Sequence, residues 1–214
     1  AVLNEEQEML RDMAREWTVN ESPVTEFRKV RASGEPEAFN RDAYATMAQM
    51  GWAGVIIPEE HGGSDFGFLS AGLVVEELGK TLTASPLVMN TVAASAIVLG
   101  GSDEQKARWL PRLASGEAIA TLAVDEGPSH DPAKIETSVS DGKLSGTKAF
   151  VHEAHGADLF VVAAKDGLYL VEKGDGVALT TRKLTDQRSH ADVTFDGAAA
   201  DKLASGGDSL LDDV

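Results

Sequence analysis

The chain has 214 residues, 43% hydrophobic and 25% charged, enough to bury a core in one large domain or two modest ones. Acids outnumber bases 35 to 19, and the net charge of −16 argues against nucleic acid and against an anionic membrane surface as partners. With no cysteine there can be no disulfide, thiolate metal site or thiol nucleophile.

The start, Ala1–Asp12, is charged and lacks the apolar run of a signal peptide, and the most apolar run, Thr91–Leu99, is too short to span a bilayer. A soluble, cytoplasmic protein is expected. Asn4 and Gln7 have capping-box spacing, opening a first helix with Met9, Leu10, Met13 and Trp17 as its apolar stripe. Glu21–Gly34 is polar and reads as a loop, with a turn of helix as its alternative. Asn40 caps a second helix carrying Tyr44, Met47 and Met50, and Gly51 ends it. After the short apolar segment Trp52–Pro58 and a turn at His61-Gly62-Gly63-Ser64, Phe68–Leu78 reads as a third helix. Its Glu76-Glu77 pair opposes the helix dipole and calls for a partner close by.

Ser85-Pro86 opens a fourth helix with Pro at the first helical position, and Val92–Leu99, apolar or small all round, should lie buried. Gly100-Gly101 stops it. Ser102 and Gln105 form a second capping box, and Trp109, Leu110 and Leu113 face inward from the fifth helix. Residues 1–116 therefore read as an all-α domain.

The period then changes. Ile119–Val124 and Ile135–Val139 read as strands, and Asp141-Gly142 is a strong two-residue hairpin signal returning as Lys143–Val151. Leu159–Ala164, the turn Asp166-Gly167 and Leu168–Val171 form a second hairpin. Val177–Thr181 and Ala191–Phe195 add two strands. The fold class is α+β: the all-α domain, then a small antiparallel β-barrel over 117–200, with a sandwich as its alternative. Residues 201–214 read as the start of a further helical region, with a helix beginning within Asp208–Val214.

The chain has no P-loop, G-x-S-x-G, H-E-x-x-H, or G-x-G-x-x-G after a strand. Its histidines, His61, His130, His152, His155 and His190, show no helical metal spacing, and no metal is expected. His130 and His152 each fall in a turn at a strand end, Asp125–Asp131 and His152–Asp158, where either could hydrogen-bond a ligand. Those turns could wall a ligand cleft or be two plain surface loops. Asp125 and Glu126, adjacent on an extended chain, point to opposite sides and make a poor acid/base pair. Asp158 is expected to bond backbone amides of its own turn.

The order of features goes further. P-E-E-H-G-G (58–63), V-E-E-L-G-K (75–80) and G-S-D-E-Q-K-A-R-W-L-P-R-L-A-S-G-E (101–117) come in turn. A-T-L-A-V-D-E-G-P-S-H-D, L-S-G-T-K-A-F-V (144–151) and G-A-D-L-F-V-V-A-A (156–164) follow. This succession resembles the flavin-dependent acyl-CoA dehydrogenases. The resemblance implies an N-terminal helical domain, a middle β-domain and a C-terminal helical domain lying outside this chain. It implies FAD as cofactor and α,β-dehydrogenation of an acyl-CoA thioester, with an electron-transfer flavoprotein or similar acceptor and a homo- or hetero-oligomer as partners. The catalytic glutamate of the family belongs to the C-terminal domain, so no residue here is assigned a catalytic role.

The family's flavin-contacting turn usually reads T-E-P-x-x-G-S-D, and its second contact W-I-T or W-I-S. Laid against these, Val124, Asp125 and Glu126 stand for T-E-P, Ser129, His130 and Asp131 for G-S-D, and Phe150, Val151 and His152 for W-I-T. The resemblance thus implies cofactor contacts at Leu122, Val124, Asp125, His130, Phe150 and His152, and substrate contacts at Ser129 and His130. Hydroxyls are lost at Val124, His130 and His152. The alternatives are a non-catalytic subunit with a degenerate flavin site and a flavin oxidase of the same fold.

Overall fold

The computed structural model describes residues 2–214, apart from the side chain of Asp208. Among the described residues six α-helices precede the first strand: α1 (Glu5–Glu21), α2 (Val24–Ser33), α3 (Arg41–Gln49), α4 (Gly67–Lys80), α5 (Leu87–Gly100) and α6 (Asp103–Ala114). Both expected capping boxes form, Asn4 with Gln7 and Ser102 with Gln105, each satisfying amides that the first helical turn leaves unpaired.

The segment Glu21–Gly34, read as a loop, holds α2. It buries no residue fully, with Phe27 and Val30 only half-covered, so its apolar periodicity is weak. It forms as an exposed helix with a Lys29–Glu26 pair at 2.6 Å, and Gly34 closes it in the left-handed region (φ 69°). Pro86 stands at the N-cap of α5 rather than at its first helical position. Along α5, Ala93–Ile97 is buried, but Val88 and Leu99 are exposed, because α6 and the first strand cover only part of the helix.

The acidic pair near the end of α4 has its partners. Glu77, buried, accepts from Arg15 Nη2 of α1 at 3.1 Å and from Lys80 Nζ at 2.8 Å, tying the two helices together. The turn before α4 depends on a glycine: a Cβ at Gly63 would lie 1.9 Å from the carbonyl oxygen of Ile57.

The β-domain has eight strands among the described residues: β1 (Ala120–Ala123), β2 (Ser138–Ser140), β3 (Lys143–His152), β4 (Leu159–Ala164), β5 (Gly167–Glu172), β6 (Val177–Arg182), β7 (His190–Ala199) and β8 (Asp201–Lys202). They pair as two four-stranded sheets, β1-β4-β5-β8 and β2-β3-β7-β6, the two-sheet form of the compact β-domain expected. Every ladder is antiparallel except β1 with β4. The Asp141-Gly142 turn, with both residues at positive φ, joins β2 to β3 as its dipeptide requires. The second strand begins only at Ser138, since Pro132–Lys134 is taken up in a 3-10 turn. A final short helix, α7 (Leu210–Asp213), follows.

The sheets face one another across Leu144, Val151, Phe160, Val162, Val193 and Phe195, with Phe160 and Phe195 edge to face at 5.9 Å. A second core joins helices to the first sheet: Ile97, Leu110 and Leu113 pack with Leu159, Val161 and Leu168. The amide of Ala120 donates to Asn90 Oδ1 of α5 at 2.9 Å. Asp158 does not serve its own turn. Its Oδ2 accepts from the amide of Ile119 at 2.9 Å, because the parallel pairing sets the start of β1 beside the start of β4. The helical layer is therefore bonded to the start of β1, which is tied in turn to the start of β4.

Candidate functional site

The two segments singled out in the sequence meet. As the chain leaves β1, the carbonyl of Asp125 accepts from the amide of Ala149 at 2.7 Å, bringing the 125–131 turn against the end of β3. Further along, Thr121 Oγ1 donates to the carbonyl of His152 at 2.6 Å. Asp125 and Glu126 point to different partners. Asp125 Oδ1 lies 2.8 Å from His130 Nδ1, so the turn closes on its own side chains.

Glu126 is the hub of the turn. Its Oε1 accepts from Lys148 Nζ at 2.7 Å and from the amide of Thr137 at 2.9 Å, and its Oε2 from the amide of Glu136 at 2.7 Å. Lys148, fully buried in β3, donates also to the carbonyl of Val124 at 2.9 Å. Burial pushes the Glu126 carboxyl up, but the Lys148 ammonium, the Thr137 hydroxyl and the two amides outweigh it and hold it at about 2. Burial lowers the Lys148 ammonium, against the pull of Glu126. Neither Lys148 nor Glu126 stands out for this role in the sequence. The one available signal is a lysine at an inward position of an alternating strand.

With the turn so held, the amides of Glu126, Gly127, Ser129 and His130 donate to no protein atom among the described residues. A Cβ at Gly127 would meet nothing within 4 Å. The turn therefore offers a row of open donors. Ser129 and His130 are exposed, while Leu122 and Val124 pack half-buried against the core shared by helices and sheet.

Phe150 sits where the β3–β7 register shifts, with φ 53°, its amide donating to Asp192 Oδ1 at 3.2 Å. It is half-buried and outside the β-core, with the Arg182 guanidinium 5.8 Å from its ring. His152 stands beside it on the same strand end. Its ring lies against that of His190, centroids 4.3 Å apart, and burial, His190 and Arg188 all lower its pKa. His155 lies elsewhere, its Nε2 3.0 Å from Thr181 Oγ1.

Apart from the turns, the surface carries half-open clefts. One cleft of about 250 Å³ runs between helices and the 186–188 loop, lined by Phe27, Leu78, Leu87, Val88, Asp186 and Arg188. Arg188 bridges the two layers, donating to the carbonyl of Ser85 at 3.1 Å and to Glu153 Oε1 at 2.6 Å. Burial pushes the Glu153 carboxyl up to about 7 against the pull of that guanidinium. Among the described residues no group of three or more His, Asp or Glu side chains is placed to hold a metal ion, and no helix is long and apolar enough to cross a membrane.

Residues 4–117 match the family described as "Acyl-CoA dehydrogenase, N-terminal domain". The chain is 32% identical over 191 residues to acryloyl-CoA reductase (NADH) of Anaerotignum propionicum, covering 80% of this chain and 47% of that protein. To mitochondrial isovaleryl-CoA dehydrogenase of Bos taurus it is 30% identical over 171 residues, covering 76% of this chain and 40% of the relative. The chain thus spans about half the length, or less, of these relatives. Among solved structures the ChsE4–ChsE5 complex of Mycobacterium tuberculosis superposes with a TM-score of 0.86 at 26% identity, over 98% of this chain and 59% of that one. With residues 4–117 matching the family's N-terminal domain and relatives at 30% identity or more matching three-quarters of its length or more, the chain belongs to the acyl-CoA dehydrogenase family.

Proposed function

We propose that this chain is the helical and β part of an FAD-dependent oxidoreductase that dehydrogenates an acyl-CoA thioester. The observation that carries the reading is the Asp125–Ala149 contact, which joins the turn bearing the open amides to the strand end that carries Phe150 and His152. A flavin fits that arrangement. The amides of Gly127, Ser129 and His130 would hold its pyrimidine edge, which presents carbonyl acceptors; Phe150 would flank the ring, and His152 would reach its central nitrogen. FAD, when bound, accepts a hydride from the substrate's β-carbon.

The chain's own residues bind, orient and exclude water. Asp125 and Glu126 are committed to His130 and Lys148, so neither is free to take the α-proton, and the base is assigned to no residue here. The acyl group would use the apolar cleft at Leu78, Leu87 and Val88. In this reading the protein is cytoplasmic, acts within a homo- or hetero-oligomer, and passes electrons to an electron-transfer flavoprotein or similar acceptor. The test is spectroscopic. The purified protein, with any subunits that accompany it, should be yellow and should bleach when an acyl-CoA is added. A colourless protein that takes up no FAD contradicts the reading.

A second reading, a non-catalytic subunit with a degenerate flavin site, is favoured by one observation: His130 is held by Asp125, and Val124 and His152 supply no hydroxyl. Losing about two neutral hydrogen bonds to a buried ligand costs roughly 1–3 kcal/mol. Colourless protein co-purifying with a flavin-bearing relative would support it.

A further inference from the structure

Of the polar side chains among the proposed cofactor contacts, Asp125 and His130 bond each other, whereas neither ring nitrogen of His152 meets a protein donor or acceptor among the described residues. An exposed ring with two free torsions would sample several rotamers and two tautomers. What restrains it is the residue directly across the ladder. The β3–β7 register pairs His152 with His190, and the two rings meet at 4.3 Å with an interplanar angle of 62°.

His190 is well anchored. It is buried, and its Nδ1 lies 3.1 Å from the carbonyl of Arg188, so it is Nδ1–H that donates there. Arg188 in turn is fixed by Glu153 and by the carbonyl of Ser85 at the foot of α5. The chain of contacts runs from the helical layer through Arg188 to the buried imidazole, and ends at His152 on the open face.

We infer that His190 is a positioning residue that fixes the orientation of the His152 ring at the proposed flavin site. The inference rests on the flavin reading for its purpose but not for its geometry. The charged and titratable groups around His152 are His190, Arg188, Asp186 and Asp125. Of these, His190 is the one in ring contact, and the others act on His152 at longer range. A phenylalanine at 190 would keep an aromatic edge but lose the ionisable neighbour. An alanine would lose both.

The test is histidine NMR on the full-length protein without flavin, reading the ring nitrogen shifts of His152 through a pH titration in wild type, His190→Phe and His190→Ala. In H190F the midpoint of His152 should move upward, since the neighbour that opposes its protonation is gone. In H190A the His152 ring signals should also move toward values averaged over several rotamers, as the ring loses the contact that orients it. Unchanged His152 shifts and midpoint in folded variants would overturn the inference. If neither His190 variant folds, His152→Ala, at an exposed position, serves instead: the His190 ring signals must move, and signals that stay in place sink the idea. FAD titration of the wild type is read separately. Absence of binding there removes the flavin reading, while the imidazole coupling stands or falls on the NMR alone.

Discussion

The Glu126–Lys148 pair is the contact on which the proposed site depends most, and Glu126→Gln removes its charge while keeping its shape. At 18% exposure the Glu126 side chain is well covered, and that of Lys148 is at 0%. Held at about 2 against a usual 4.5, the carboxylate contributes about 3 kcal/mol of stability at neutral pH, at ~1.36 kcal/mol per pH unit. The sign follows from the depressed value: the contribution is complete above 4.5 and is lost as pH falls toward 2. In E126Q the buried ammonium keeps the Val124 carbonyl but loses its counter-ion, the costly way to break such a pair, and the loss should be about 3 kcal/mol. Lys148→Met should cost less, roughly half as much, because Glu126 keeps the Thr137 hydroxyl and the two amides. The double variant should then lose less than the sum of the two. Urea unfolding followed by tryptophan fluorescence reads the effect through Trp17, Trp52 and Trp109, all buried. In a melt it amounts to roughly 6–12 °C. An E126Q protein within about 1 kcal/mol of wild type at neutral pH would refute the reasoning. So would an acid limb as steep in E126Q as in wild type.

Glu153 acts in the opposite sense. Pushed up to about 7, its carboxyl favours the folded state most below 4.5 and costs about 3 kcal/mol by the time pH has risen through 7. Urea midpoints compared at pH 4.5 and pH 8 should show that loss in wild type and a flatter profile in Glu153→Gln. Glu77→Gln should loosen α1 from α4 by about 1–2 kcal/mol, seen as faster amide exchange along α1, since Arg15 and Lys80 are half-exposed and regain water. Gly63→Ala should cost about 3 kcal/mol or more, or prevent folding, because the new methyl would overlap the Ile57 carbonyl; soluble yield and melting temperature check it.

Legibility followed how local each cause is. The capping residues Asn4 and Ser102 and the Asp141-Gly142 turn act within a few positions of themselves, and each forms as read. The inward Trp109, Leu110 and Leu113 were likewise visible as period, whereas of the expected first-helix stripe only Leu10 and Trp17 pack inward and Met9 and Met13 are exposed. By contrast α2 was hidden, because a helix that buries no residue fully leaves little periodic trace. The parallel pairing of β1 with β4 depends on what α5 and α6 cover, so the role of Asp158 at Ile119 could not be read from its own turn. The two site segments stood out first as polar turns at strand ends and then through the family pattern, and the Asp125–Ala149 contact joins them. What stabilises them was not legible. Lys148 and Glu126 are 22 positions apart, and His152 and His190 are cross-strand neighbours only by virtue of the β3–β7 register.

The most direct measurement is amide NMR of the full-length protein with FAD added stepwise. The proposed site requires the Gly127, Ser129 and His130 amides to shift as they gain acceptors, together with Phe150 and His152. Shifts confined to other surfaces, or none at saturating FAD, would contradict it.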